Sequence, residues 1–303
     1  MRFIVCFILG VLLTNCQPDN PELTGHIGRP DISPDGRKIT FIYAKDASED
    51  VWEIYTADLN GKNVKQLTYF TEARIKKSPI WSKNGKKIAF HADINDGAQI
   101  FVIDADGENL TQLTNLPGYN VEPHWSPDGS EIVFNSIPKK GKVKMLIMNK
   151  DGSNSRELHN PDGNNWYPRK TNQNLIIFTS DLNQDDYYDI FVMNPDGSNI
   201  QQLTFIKAIN WFPEYSPDET KIVFHSNQDD PQLNDSGDYN LYIMNADGTG
   251  IRQITNLSGQ ELHAKWHPSG EKLIFEWHNE QPMGLHTLNL SNGEIEKIKL
   301  TTD

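Results

Sequence analysis

Short apolar runs recur along this chain in a fixed register, each bounded by a proline-containing entry and a tight polar turn. Six stretches carry the pattern: "RPDISPDGRKITF", "SPIWSKNGKKIAF", "EPHWSPDGSEIVF", "YPRKTNQNLIIF", "FPEYSPDETKIVF" and "HAKWHPSGEKLIF". Their closing residues are Phe41, Phe90, Phe134, Phe178, Phe224 and Phe275, at intervals of 49, 44, 44, 46 and 51 residues. Behind each lies a second apolar run and turn, as in "QIFVIDADG", "DIFVMNPDG" and "NLYIMNADG", followed by a short "QLT" segment or a variant of it. Asp-Gly and Asn-Gly suit the turns because glycine accepts positive φ and the Asx side chain bonds its own backbone. Each repeat therefore predicts four short strands joined by turns. A unit of roughly 45 residues that cannot bury both faces alone predicts an all-β, six-bladed β-propeller with four antiparallel strands per blade.

The repeats resemble the TolB-like six-bladed propeller, whose units run "P-x-W-S-P-D-G-x-x-I-A-F" and then "I-Y-x-M-N-x-D-G". The resemblance covers residues 26–303 and implies the fold rather than a task, because such propellers serve very different ones. TolB of the Tol–Pal envelope system carries an additional N-terminal α/β domain that this sequence does not match. Propeller-bearing peptidases carry a hydrolase domain, and no G-x-S-x-G occurs here.

Residues 1–15 follow a different rule. One cation, Arg2, precedes an apolar run from Phe3 to Leu13. That run is too short to span a bilayer, which takes about 20 residues, and reads as a secretory signal. Leu13-Thr14-Asn15-Cys16 resembles a lipoprotein signal, although Asn15 stands where a smaller residue is usual, and implies lipidation at Cys16. Residues 16–25 then form a polar tether. Cys6 and Cys16 are the chain's two cysteines, so the repeats hold no disulfide or thiolate metal site.

A net charge of −13 and pI near 5.1 exclude the electrostatic footprint of a nucleic-acid binder and disfavour anionic lipid. Membrane attachment is expected through Cys16 alone, in a monomer of the bacterial cell envelope. No cofactor and no metal site are expected. The acidic stretches 180–189 and 227–238 lack EF-hand spacing and read as solvated loops.

Aligning the copies separates scaffold from surface. Trp125 falls at a mostly bulky position and predicts packing between blades, and Asp128 is a turn former. His124 falls at a variable position and is expected to be solvated or locally hydrogen-bonded. His91 and His225 lie on opposite blades, too far apart to share a metal. By the resemblance, the residues before the proline position, which is Ala264 in the last copy, ring the channel mouth: Arg29, Ser78, Glu122, Tyr167, Phe212 and His263. "NWYP" and "NWFP" add Trp166 and Trp211 as an aromatic wall. Arg29, Glu122, Trp166, Tyr167, Trp211, Phe212 and His263 are thus the candidate ligand-binding residues, for an envelope protein, peptide or glycan. The alternative is a metal-dependent polysaccharide lyase or hydrolase that uses His263, His124 and Glu122.

Overall fold

A computed structural model describes residues 22–46, 48, 50–183, 187–230, 237–279 and 283–302. The leader, Cys16 and the centres of both acidic loops lie outside the described residues. Each sequence repeat forms one antiparallel meander. The first has the order β1 (His26–Ile32), β2 (Lys38–Ala44), β3 (Glu53–Asp58) and β4 (Lys65–Gln66). The other five units open with β5 (Lys76–Trp81), β9 (Tyr119–Trp125), β13 (Asn165–Lys170), β17 (Asn210–Tyr215) and β21 (Glu261–Trp266). A single parallel bridge, Ala98 to Tyr119, links the second and third units into one sheet.

The turn chemistry is local, as expected. Asp35, Asn84 and Asp128 each accept the backbone N–H two residues on, at 3.1 Å, and the glycine that follows each has φ between 68° and 73°. In the fourth unit Asn174, at φ 59°, takes the glycine's place and closes the turn on the Thr171 carbonyl at 3.0 Å. Asparagine tolerates this region better than most residues, so "RKTNQN" builds an equivalent turn without glycine.

A single unit offers two apolar faces and covers neither, so the core lies between units. Phe41, Phe90, Phe134, Phe178, Phe224 and Phe275 are all fully buried. Burying each contributes about 1.5–3 kcal/mol. Trp125 packs with Ile80, Ile100 and Phe134 across the junction of the second and third units, and its indole N–H reaches the Ile80 carbonyl at 3.3 Å. Ile27 and Phe41 share a cluster with Ile274 and Leu285, which closes the first unit on the last. Leu23 N–H donates to the Leu300 carbonyl at 2.9 Å and fastens that seam. The fold is a β-propeller whose first strands line the central channel.

Candidate functional site

The first strand of every unit is interrupted at one place. Pairing with the second strand shifts register between Gly28 and Asp31, Lys77 and Ile80, Trp166 and Arg169, Trp211 and Glu214, and Leu262 and Lys265. The third unit slips at the same point, opposite Glu122 and Pro123. A proline cannot donate to a ladder, and a bulge removes the need. The residue at each bulge is left-handed: Arg29, Ser78, Glu122, Tyr167, Phe212 and His263 have φ between 51° and 54°. Such a conformation costs a non-glycine residue about 1–3 kcal/mol. Because it recurs in every unit, the bulge belongs to the scaffold; what varies is the side chain it presents.

A bulge leaves the backbone N–H of that residue without its ladder partner, and the preceding unit supplies one. Asn135 accepts from Tyr167 N–H at 2.8 Å, His91 Nδ1 lies 3.4 Å from Glu122 N, and Glu276 accepts from Arg29 N–H. All three acceptors follow the strand-closing phenylalanine of their own repeat. That position was visible in the sequence at His91 and His225, where it suggested a metal pair to be weighed and set aside. At His91, Asn135 and Glu276 that position braces the neighbouring unit's bulge, a role that needed the bulge to be seen.

The six bulge residues meet over the axis. Arg29 Nη1 donates to Glu122 Oε1 at 2.7 Å, and Ser78 Oγ to the same oxygen at 2.8 Å. Burial would raise the Glu122 carboxyl, but Arg29 above all brings it down to about 2. The Arg29 guanidinium also sits 5.2 Å over the Phe212 ring. Phe212 packs on Tyr167 and, edge-on, on His263 at 4.1 Å. His263 Nδ1 lies 2.5 Å from Glu276 Oε1, which also receives His278 Nε2 at 3.0 Å. Burial nonetheless pulls the His263 imidazole down to about 4, so the ring is neutral at pH 7. Trp166 and Trp211 are half-buried and stack 6.5 Å apart beside this cluster. The structure thus brings all seven candidate residues to one end of the channel. Glu276, His278 and His225 join them, and sequence reading did not place them there.

Three buried nitrogens of this cluster have no hydrogen-bond partner among the described residues: His263 Nε2, His225 Nδ1 and Trp211 Nε1. The two imidazoles adjoin one another, their rings 5.9 Å apart.

Two residues past each bulge residue lies a second ring: Asp31, Ile80, His124, Arg169, Glu214 and Lys265. His124 is buried here rather than solvated, and it makes the local hydrogen bond that was the other half of the expectation. Its Nδ1 is 3.0 Å from the Trp125 carbonyl, and its Nε2 is 3.4 Å from Glu214 Oε1. The reason is strand alternation: with Trp125 directed between units, His124 turns to the axis. Glu214 Oε2 also accepts from Arg169 Nε at 3.1 Å and Lys265 Nζ at 2.8 Å. Between the rings a cavity of about 30 Å³ is walled by Pro30, Pro79 and Pro123. His124 therefore lies on the far side of a proline layer from Glu122 and His263.

Among the described residues no three His, Cys, Asp or Glu side chains are arranged to hold a metal ion. None of their helices is long and apolar enough to cross a membrane. Asp181 caps Asn164 N–H at 2.6 Å, and Asp189 accepts from Thr204 at 2.7 Å, so the described part of the 180–189 stretch is internally bonded.

Residues 11–181 match the TolB beta propeller domain family. Dipeptidyl-peptidase 5 of Porphyromonas endodontalis is 27% identical over 122 residues, which is 38% of this chain and 17% of that protein. The Tol-Pal system protein TolB of Francisella tularensis subsp. holarctica is 27% identical over 95 residues, 31% of this chain and 21% of that protein. The chain thus matches about a fifth of the length of these curated relatives. The solved structure of a putative TolB from Agrobacterium tumefaciens superposes with a TM-score of 0.69 at 22% identity, covering 87% of this chain and 90% of that one. That likeness is one of fold.

Proposed function

This chain belongs to the TolB beta propeller domain family, and from that premise we propose that it is a lipid-anchored, six-bladed interaction module of the bacterial cell envelope that captures a protein, peptide or glycan at its channel mouth. The observation that carries the reading is the pair of unmatched imidazole nitrogens, His263 Nε2 and His225 Nδ1, beside the half-buried Trp166–Trp211 stack. A buried polar atom without a partner costs about 1–3 kcal/mol, and a polar group of a bound partner would satisfy it. Aromatic faces next to a few polar anchors are the usual make-up of such a site.

The double variant Trp166→Ala with Trp211→Ala is expected to weaken capture of envelope partners at least about tenfold while thermal unfolding stays cooperative. Pull-down from native envelope, read beside a melting curve, checks this; undiminished capture by the folded variant would remove the mouth as the site. Attachment is tested separately: Cys16→Ala should lose fatty-acid labelling, and persistent labelling would end the lipoprotein assignment.

The enzymatic alternative draws on His263, His124 and Glu122, which lie on two sides of the proline layer. One stoichiometric transition metal in the purified chain, lost on His263→Ala, would put that reading in place of the binding module.

A further inference from the structure

The roomier part of the channel is at the other end. On the side of the Asp-Gly turns that follow the first strands, the axis opens into a cavity of about 280 Å³, against about 30 Å³ beneath the mouth. Its floor is the second ring, and Ile80, Arg169, Glu214 and Lys265 border both spaces, so the floor is a partition. The walls combine Trp125, Trp266 and the turn prolines Pro127, Pro217 and Pro268 with polar side chains, among them Asn172 and Glu219, which bond each other.

The floor's two cations have N–H donors to spare. Arg169 and Lys265, with side chains 8% and 13% exposed, both bond the same oxygen of one carboxylate, Glu214. His124, on the other oxygen of Glu214, is held neutral chiefly by burial, which takes it down to about 3. The second acid of the ring, Asp31, commits one oxygen to Trp81 N–H at 2.7 Å, and burial pushes its carboxyl up to about 6. A lysine ammonium has three donors and a guanidinium five, and one carboxylate oxygen does not exhaust them. Lys83 adds an exposed cation at the rim, whereas Lys170 is already engaged by Glu131 at 2.5 Å. The whole chain carries −13, whereas this lining sets Lys83, Arg169, Lys170 and Lys265 against Asp31, Glu214 and Glu219, a slight cationic balance.

We propose that the turn-face cavity is a second binding site, specific for a small organic acid whose carboxylate seats on Lys265 and Arg169 between the proline and tryptophan walls. The size of the space and its closed floor favour a compact ligand that ends at the partition. Cations at floor and rim favour two carboxylates over one.

Three tryptophans line the cavity (Trp81, Trp125 and Trp266), so intrinsic fluorescence reports occupancy. The purified full chain is titrated with succinate, glutarate and adipate, with glutaramide as the uncharged control and N-acetyl-trialanine as a peptide C-terminus. A saturable response to at least one diacid and none to glutaramide is expected. Lys265→Met keeps the side-chain stem and should weaken that binding by about tenfold, the worth of one charge-assisted hydrogen bond. Lys83→Met, at an exposed position that leaves the fold untouched, should weaken it by about two- to threefold. The Trp166→Ala, Trp211→Ala variant should bind the diacid unchanged, which separates this site from the mouth. No saturable response to any of the three diacids, equal response to glutaramide, or unaltered affinity in both lysine variants would overturn the proposal. Saturation by the tripeptide acid alone would overturn the small-ligand assignment.

Discussion

Replacing Glu214 with alanine is expected to lower the unfolding free energy by about 3–5 kcal/mol, the range for breaking a buried ion pair from one side. The carboxylate is shared by Lys265, Arg169 and His124, from three different strands. Burial opposes its ionisation, yet Lys265, His124 and Arg169 hold the group well below the ordinary carboxylate range. Its folded value is depressed, so its contribution is present above the ordinary value of 4.5 and is lost as pH falls through the folded one. The variant strips both buried cations of their shared carboxylate and leaves Arg169 only the Pro168 carbonyl at 3.3 Å. Equilibrium denaturation at pH 7 measures the loss, and Glu214→Ala combined with Lys265→Met should recover part of it by removing one stranded charge. A loss below about 1 kcal/mol, typical of exposed pairs, would show that water replaces the carboxylate and that the partition is not tight.

The second large effect is a dependence on pH centred on Glu261. In the second and fourth units the threonine of the "LT" element bonds a side chain on the third strand: Thr114 with Gln99 at 2.8 Å, Thr204 with Asp189 at 2.7 Å. The first unit does so with Thr68 and Glu53, and there Lys76 Nζ neutralises the acid at 2.6 Å. Thr255 instead bonds Glu261, which opens the following unit, at 2.9 Å; among the described residues no cation accompanies it, and its Oε1 has no hydrogen-bond partner. Burial pushes that carboxyl up to about 8, so a proton does what the lysine does in the first unit. A raised folded value gives stability that is complete below the ordinary 4.5 and is lost as pH rises toward 8. The slope is at most about 1.4 kcal/mol per pH unit. Glu261→Gln supplies a permanently neutral group, so its melting temperature should exceed the parent's by a margin that grows from pH 5 to about 8 and then levels off. Parallel melting profiles across that range would mean that Glu261 is ionised in the folded chain and that water or an unseen donor serves its second oxygen.

Much of the site was legible because it sits at a repeated position. The residues before the prolines could be picked out by aligning one copy with the next, and "NWYP" beside "NWFP" placed Trp166 near Trp211. The left-handed bulge was not legible: Arg29, Tyr167 and Phe212 carry no local mark of positive φ, since nothing in their chemistry favours it. The following proline does not account for it either, since His263 adopts it before Ala264. For His124 the local hydrogen bond to Trp125 was within reach of the sequence, whereas its burial and its contact with Glu214 were not. Variability at a repeated position can mean exposure, but around an axis it means that each unit contributes a different member to one buried cluster.

By itself the sequence determined what depends on near neighbours in the chain. It set where the turns fall, through Asp and Asn side chains bonding two residues on. It set which phenylalanines and tryptophans fill the gaps between units, through alternation within a strand. It also set the number of repeats. Tertiary structure alone decided the pairings across the axis: Arg29 with Glu122, 93 residues away, and Glu214 with Arg169 and Lys265, 45 and 51 residues away. Those contacts depend on how far each side chain reaches across a closed ring and on which cations find a shared acceptor once water is excluded. No local pattern encodes either.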